Sequence, residues 1–311
     1  MQGIKNCVSL PNVRGKPMNS LSLPLRKILH KWGLFLCLAG AIPLSLMAQE
    51  RLENSGFEPK QGMPGKDVIW VPTPPALVKA LLDKAAVGPG DLLVDLGSGD
   101  GRIVIEAARR GAKAIGIEFN PDMVKLSLEK ARQEGLTDKA TFLNMDLFDY
   151  DLSKATVVSM YLLPELNLKL RPKLLELKPG TRIVSNTFNL GAWMADEQVF
   201  PPLDYHGEAD GISGDDYDYS MGYFWIVPAK IGGTWKFRDG YLEIEQHYQH
   251  FQGVYTHDGK TVRIEEGKIK GSEINFSIAG INYTGKAEGN RISGLYADPI
   301  SSHSWEAYRE P

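Results

Sequence analysis

From residue 68 to about 228 the chain alternates short apolar runs with stretches of helical spacing, and beyond that it changes character. Leu92-Leu93-Val94, Ala114-Ile115-Gly116-Ile117, Thr141-Phe142-Leu143, Thr156-Val157-Val158-Ser159-Met160-Tyr161 and Thr181-Arg182-Ile183-Val184-Ser185-Asn186-Thr187-Phe188 have the length and β-branched content of buried strands. Helical patterns lie over 76–86, 103–110 and 121–134, and Glu165 reads as an acid in the first turn of a further helix. Asn120-Pro121 supplies a cap followed by proline in the first turn, and Gly135 a stop. Strands alternating with helices predict a mostly parallel sheet with helices on both faces, an α/β architecture. An aromatic run, 219–227, follows the acidic stretch Asp204 to Asp218 and reads as a last strand.

From about Gly232 the period shortens to two. Tyr241-Leu242-Glu243-Ile244-Glu245, Thr261-Val262-Arg263-Ile264 and Glu273-Ile274-Asn275-Phe276 are separated by Asp239-Gly240, Asp258-Gly259, Lys270-Gly271 and Glu288-Gly289-Asn290, which are hairpin signals. This pattern predicts a second domain of about 80 residues, a small antiparallel barrel or sandwich. Phe251, Tyr255, Phe276, Tyr283, Tyr296, Trp305 and Tyr308 either line a ligand cavity or fill the interior, filling being the commoner use in a small barrel. A weak repeat, Phe251-Gln252-Gly253, Tyr283-Thr284-Gly285 and Ile292-Ser293-Gly294, fits strands of similar role.

At the other end, Arg26, Lys27, His30 and Lys31 precede an apolar stretch from Trp32 to Met47 that closes with Met47-Ala48-Gln49-Glu50. It reads as a secretory signal peptide. An uncleaved membrane anchor is the alternative, because Leu46 departs from the small-x-small cleavage rule, although a run of about 16 apolar residues is short for a span. Either Met1 or Met18 serves as the start. The positive charge before the apolar run places the folded part on the far side of the membrane in both cases, exported (periplasmic or extracellular) or membrane-anchored. Residues 49–66 read as a linker. The expected organisation is 1–48 signal or anchor, 49–66 linker, 67–228 α/β domain and 229–311 β domain.

Composition narrows the chemistry. The net charge of −3 in 311 residues gives no basic footprint for nucleic acid. Both cysteines, Cys7 and Cys37, fall in the leader, so neither a disulfide framework nor a cysteine zinc site is expected, and no metal site is assigned. Asp210-Gly211-x-x-Gly214-Asp215-Asp216 is too irregular for a calcium loop.

The richest segment is Val94-Asp95-Leu96-Gly97-Ser98-Gly99-Asp100-Gly101-Arg102, between a strand and a helix. Glycines allow a sharp turn and close approach of a ligand, and a helix start offers free N–H groups. The spacing Gly97-x-Gly99-x-Gly101 departs from the G-x-G-x-x-G of nicotinamide loops. Asp95 repels a pyrophosphate but suits a ligand with a cationic amino group. Glu118 ends the next strand 23 positions on, where one carboxylate can accept from both ribose hydroxyls, and Asp146 ends the third.

These residues resemble the first motifs of class I S-adenosylmethionine-dependent methyltransferases. The resemblance implies the seven-stranded Rossmann-like sheet of that class and S-adenosyl-L-methionine as cofactor, held by Asp95, Gly97, Ser98, Gly99, Gly101, Glu118 and Asp146, the last accepting from the adenine amino group. Two further segments, Trp70-Val71-Pro72-Thr73-Pro74-Pro75 and Tyr161-Leu162-Leu163-Pro164-Glu165-Leu166, resemble a branch that includes the mitochondrial protein-lysine methyltransferases acting on the adenine nucleotide translocase and on the c subunit of ATP synthase. Bacterial relatives in that branch usually carry Tyr where this chain has Trp70. Thr73 is a candidate contact for the methionine carboxylate. For catalysis, Tyr161 is the candidate for lining an acceptor pocket, and Glu165 for steering or accepting a proton. The branch implies a protein lysine as acceptor. Alternatives are methylation of a small or lipid-like molecule captured by the β domain, and an exported binding protein that keeps the fold without turnover. S-adenosylmethionine is made in the cytosol, so an exported enzyme needs the cofactor to reach its compartment or the domain to face inward; otherwise the loop binds a related ligand.

Overall fold

Seven strands form one sheet in the order β3-β2-β1-β4-β5-β7-β6. They are β1 Leu92–Leu96, β2 Lys113–Glu118, β3 Ala140–Asn144, β4 Val157–Met160, β5 Arg182–Asn186, β6 Glu197–Val199 and β7 Gly222–Ile226. The structure, a computed structural model, describes residues 56–67, 69–202, 221–297 and 300–311; the apolar leader and the acidic stretch 204–218 lie outside the described residues. Strands β1 to β5 run parallel, whereas β7 is antiparallel to both neighbours. Central strands buried on both faces need continuous apolar sequence, and β1 and β4 supply it, apart from Asp95 and Ser159, which sit opposite each other in the register.

Four helices cover the sheet: α1 Pro75–Lys84, α2 Arg102–Arg109, α3 Pro121–Gln133 and α4 Pro164–Leu175. Three of the four begin with proline, whose fixed φ and missing N–H suit the first turn. The Asn120 side chain caps α3 by accepting from the Asp122 N–H at 2.9 Å, and Gly135 beyond its end has φ +67°. Because the strand order reverses between β1 and β4, a crevice opens at the carboxyl ends of these strands.

The β domain is a closed eight-stranded antiparallel barrel, which settles the choice between barrel and sandwich. Its strands are β8 Gly233–Phe237, β9 Gly240–His247, β10 His250–His257, β11 Lys260–Lys270, β12 Glu273–Ile278, β13 Ile281–Glu288, β14 Arg291–Ala297 and β15 Ser302–Arg309. The interior is filled: the Phe237 ring meets Tyr255, Tyr283 and Trp305 edge-on at 5.4–5.8 Å, and Phe276 stacks on Tyr283 at 5.1 Å. Tyr308, expected inside, is half exposed on the outer wall. Two glycines of the weak repeat face each other in the ladder, Gly285 opposite Gly294, and a Cβ on Gly294 would lie 1.9 Å from the Thr284 carbonyl oxygen. The repeat therefore marks close strand approach, not ligand contact.

The connector between sheet and barrel is held by hydrogen bonds. The Val227 carbonyl accepts from the Gly180 N–H at 2.9 Å, and the Ala229 N–H donates to the Gly271 carbonyl at 2.7 Å. Gln246 of the barrel donates to the Ala229 carbonyl at 2.9 Å and accepts from the Ile231 N–H at 2.6 Å.

Candidate active site

A cavity of about 440 Å³ occupies the crevice, within the usual range for small-molecule sites. Asp95, Gly97, Ser98, Gly99, Glu118, Asp146, Thr73 and Tyr161 line it, so most of the residues singled out above converge on one space. Gly101 stands behind it as the N-cap of α2.

The glycine turn is built by its backbone. Gly97 and Ser98 both donate to the Ile117 carbonyl, at 2.9 and 3.0 Å, which ties the turn to β2. Gly99 and Gly101 adopt φ of +52° and +80°, and a Cβ on Gly101 would lie 2.8 Å from both Phe142 and Ser127. A Cβ on Gly99 would lie 2.6 Å from the Trp70 indole nitrogen. Left-handed backbone and close packing together demand glycine.

Four acids surround this turn, each held differently. Asp95 is only 3% exposed and accepts from the Ser159 hydroxyl at 2.7 Å. Burial pushes its carboxyl up to about 7, and the charges of Glu118 and Asp100 push the same way. Asp100 is buried too, but Arg102 donates to both of its oxygens at 2.9 Å and Lys130 to one at 2.8 Å. Burial alone would raise its pKa; these two cations reverse the direction and hold it below the ordinary carboxylate range. Glu118 accepts the Gly99 N–H at 2.9 Å on one oxygen and the Asn120 N–H at 2.8 Å on the other. Asp146, two residues past the end of β3, is paired with Lys66 and accepts the Phe148 N–H at 2.9 Å, the Lys66 bond being the main cause of its lowered pKa.

Thr73 is buried and accepts from the Asn186 side chain at 3.1 Å, while its carbonyl accepts from Arg102 at 2.8 Å. It does not cap α1, whose N-cap is Pro74 without a side-chain bond. Lys66, Asn186 and Phe188 belong to the site's surroundings yet carry no motif that singles them out in the sequence. Trp70 stands in a recognisable segment, but its packing against Gly99 has no local signature. Tyr161 is half-buried, with its ring centroid 6.3 Å from that of Phe188. Glu165 lies exposed on the first turn of α4 and does not line the cavity, so the geometry gives no support to a proton-accepting role.

Part of the stretch read as a linker lies against the cavity. Gln61, Met63, Pro64, Gly65 and Lys66 form one wall of the cavity. The Trp70 N–H donates to the Met63 carbonyl and the Gly62 N–H to the Trp70 carbonyl, both at 2.9 Å, folding this strap back on itself. The Lys66 ammonium lies 4.8 Å from the Phe119 ring centre besides pairing with Asp146. Gly, Pro and Lys content signals a chain without a core of its own, and such a chain can still be ordered by a neighbouring wall. Lys66→Met is expected to weaken cofactor binding a few-fold at low ionic strength. Calorimetric titration should show the difference vanish near 1 M salt, where screening acts over about 3 Å.

An unshielded buried acid beside a glycine cradle asks for a ligand that brings a cation and tolerates backbone contact. S-adenosylmethionine offers such groups, a cationic amino group and a ribose diol. Sheet order, antiparallel β7 and this acid-lined turn define a class I S-adenosylmethionine-dependent methyltransferase. The model of the ANTKMT methyltransferase domain matches residues 95–197, and the chain belongs to that family. It is 42% identical over 135 residues to a protein-lysine N-methyltransferase of Saccharolobus islandicus, covering 42% of this chain and 84% of the relative. It is 40% identical over 113 residues to the human lysine N-methyltransferase named for the c subunit of ATP synthase, covering 36% of this chain and 48% of that protein, about half its length. Among solved structures, an RNA methyltransferase of Salinibacter ruber in complex with S-adenosyl-L-homocysteine is 45% identical, covering 52% of this chain and 96% of that one, with a TM-score of 0.45. The chain is a methyltransferase, and S-adenosylmethionine is its cofactor.

Proposed function

We propose that the enzyme N-methylates lysine side chains of a protein substrate. The observation that carries this reading is an aromatic and apolar group in the cavity lining, Tyr161, Leu162, Leu163, Leu166 and Phe188, with the Tyr161 and Phe188 ring centroids 6.3 Å apart. Bound S-adenosylmethionine supplies an electrophilic methyl group on sulfur. The chain must present a nucleophile in line with it, desolvated and oriented. Lysine reaches pH 7 protonated and unreactive, and an apolar wall favours its neutral form. A ring pair such as Tyr161 and Phe188 also tolerates the positive charge that returns on the nitrogen after transfer. The names of the Saccharolobus and human relatives support the same acceptor class.

The test is transfer of labelled methyl groups from S-adenosylmethionine to lysine-rich proteins by the purified chain. Label should disappear when the protein's amines are blocked by acetylation beforehand, and amino-acid analysis should return methyllysine. Label entering RNA or extracted lipid while the lysine-rich proteins stay unlabelled would overturn the proposal.

A further inference from the structure

We infer that the C-terminal barrel is a brace for the acceptor side of the methyltransferase cavity, acting through Tyr248 and Gln249 on the segment from Phe188 to Met194. The kinetic part of this inference rests on the lysine reading above.

The segment leaves β5 under strain. Thr187 has φ +59°, a region that a β-branched residue seldom enters, and it turns the chain so that Phe188 reaches the cavity beside Tyr161. Strained backbone persists only when its surroundings hold it, and here they hold nearly every carbonyl. The Phe188 carbonyl accepts from the Ser185 hydroxyl at 2.6 Å and from Asn167 at 3.1 Å, and the Asn189 carbonyl accepts from Asn167 at 3.2 Å. Arg171 donates to the Leu190 carbonyl at 2.9 Å and Trp225 to the Trp193 carbonyl at 2.9 Å. Those partners lie in the methyltransferase sheet and α4. The last hold comes from the barrel: Gln249, itself buried, donates to the Met194 carbonyl at 2.7 Å. The Tyr248 ring stacks on fully buried Trp193, with centroids 6.1 Å apart and planes 9° from parallel.

The turn that carries these two residues argues that the contact, not the turn, sets their identity. Tyr248 and Gln249 are the two-residue link between β9 and β10, with His247 paired to His250, and Tyr248 has φ +57°. A two-residue hairpin with positive φ favours Asn, Asp or Gly. A tyrosine there carries a conformational cost, and its stack on Trp193, together with the Arg171 guanidinium 5.9 Å from its ring, supplies the compensation. The cofactor acids Asp95, Glu118 and Asp146 take their hydrogen bonds from Ser159, Gly99, Asn120, Lys66 and Phe148, none of them in this hairpin. Tyr248 is thus a positioning residue for the acceptor wall, separable from cofactor binding.

Tyr248→Gly tests this, since glycine relieves the positive φ and removes the ring with its contacts to Trp193 and Arg171, and Tyr248→Phe restores the ring without the hydroxyl. In the full chain, Tyr248→Gly is expected to keep cofactor affinity within twofold of wild type, to lower kcat/KM for the lysine acceptor about tenfold, and to speed hydrogen exchange at 188–194. Tyr248→Phe is expected to match wild type in all three. Wild-type kinetics and wild-type exchange in Tyr248→Gly would overturn the brace, and so would an equal fall in cofactor affinity, which would mark general loosening. If the wild-type enzyme methylates no lysine substrate, the lysine reading fails while the exchange comparison still decides the brace.

Discussion

Asp95→Asn is expected to stabilise the cofactor-free protein at pH 8 while weakening its hold on S-adenosylmethionine, with the stability gain absent at pH 4. Asn keeps an acceptor for the Ser159 hydroxyl but has no charge to desolvate. A carboxyl whose folded pKa, about 7 here, lies above its unfolded value of 3.8 binds extra protons in the folded state between those values. Its contribution to folding is therefore fully present below about pH 4 and lost as pH rises through 7. Three pH units at about 1.36 kcal/mol each set the scale at roughly 4 kcal/mol. Thermal melts of the two proteins from pH 4 to 8 should diverge as pH rises, with the variant above. A constant offset across that range would show that Asp95 does not titrate between the two states. Cofactor affinity of the wild type should fall as pH drops below about 7, because a protonated Asp95 offers no charge to a cationic amino group; the variant should lose that pH dependence.

Glu118→Ala should produce the larger loss of cofactor affinity. Its carboxylate closes the turn by accepting the N–H groups of Gly99 and Asn120, and it lines the cavity. Removing it deletes charge-assisted hydrogen bonds of about 1.5–3 kcal/mol each and leaves two backbone donors without their partner. A fall in affinity of about 100-fold or more, on the order of 3 kcal/mol, is the expected calorimetric result. Glutamine keeps one acceptor but must turn an N–H₂ toward the second donor, so Glu118→Gln should recover only part of the loss. Unchanged affinity in both variants would remove Glu118 from the cofactor site.

The parts of this site that could be read in the sequence share one property: the residue type conflicts with its local setting. Acids at the ends of apolar strands, and three glycines in five positions, make no sense for packing alone, and Asp95, Glu118 and the Gly97 to Gly101 turn do line or support the cavity. Glu165 stands exposed in the first turn of α4, where an acid is ordinary on dipole grounds. Lys66 and the packing of Trp70 were hidden for the opposite reason. Their stretch has no periodicity, and its order comes from Asp146, Phe119 and Gly99, all distant in sequence. Asn186 and Phe188 sit where a strand was expected to continue through 188, whereas β5 ends at Asn186 and the positive φ of Thr187 ends it. In the barrel, two-residue alternation gave away the strands, but whether the ends meet is decided by pairing of the first strand with the last, which no local pattern encodes.

That closing seam has a consequence for the order in which the molecule is made. All strands of the methyltransferase sheet exist once Ile226 has been synthesised, but β8 finds its second partner only when β15 is complete, at Arg309. At about 5–20 residues per second the interval is roughly 4–17 s. During it the cofactor half can fold on the ribosome while the barrel strands already made form an open sheet with two unpaired edges, the form most exposed to pairing with a second nascent chain.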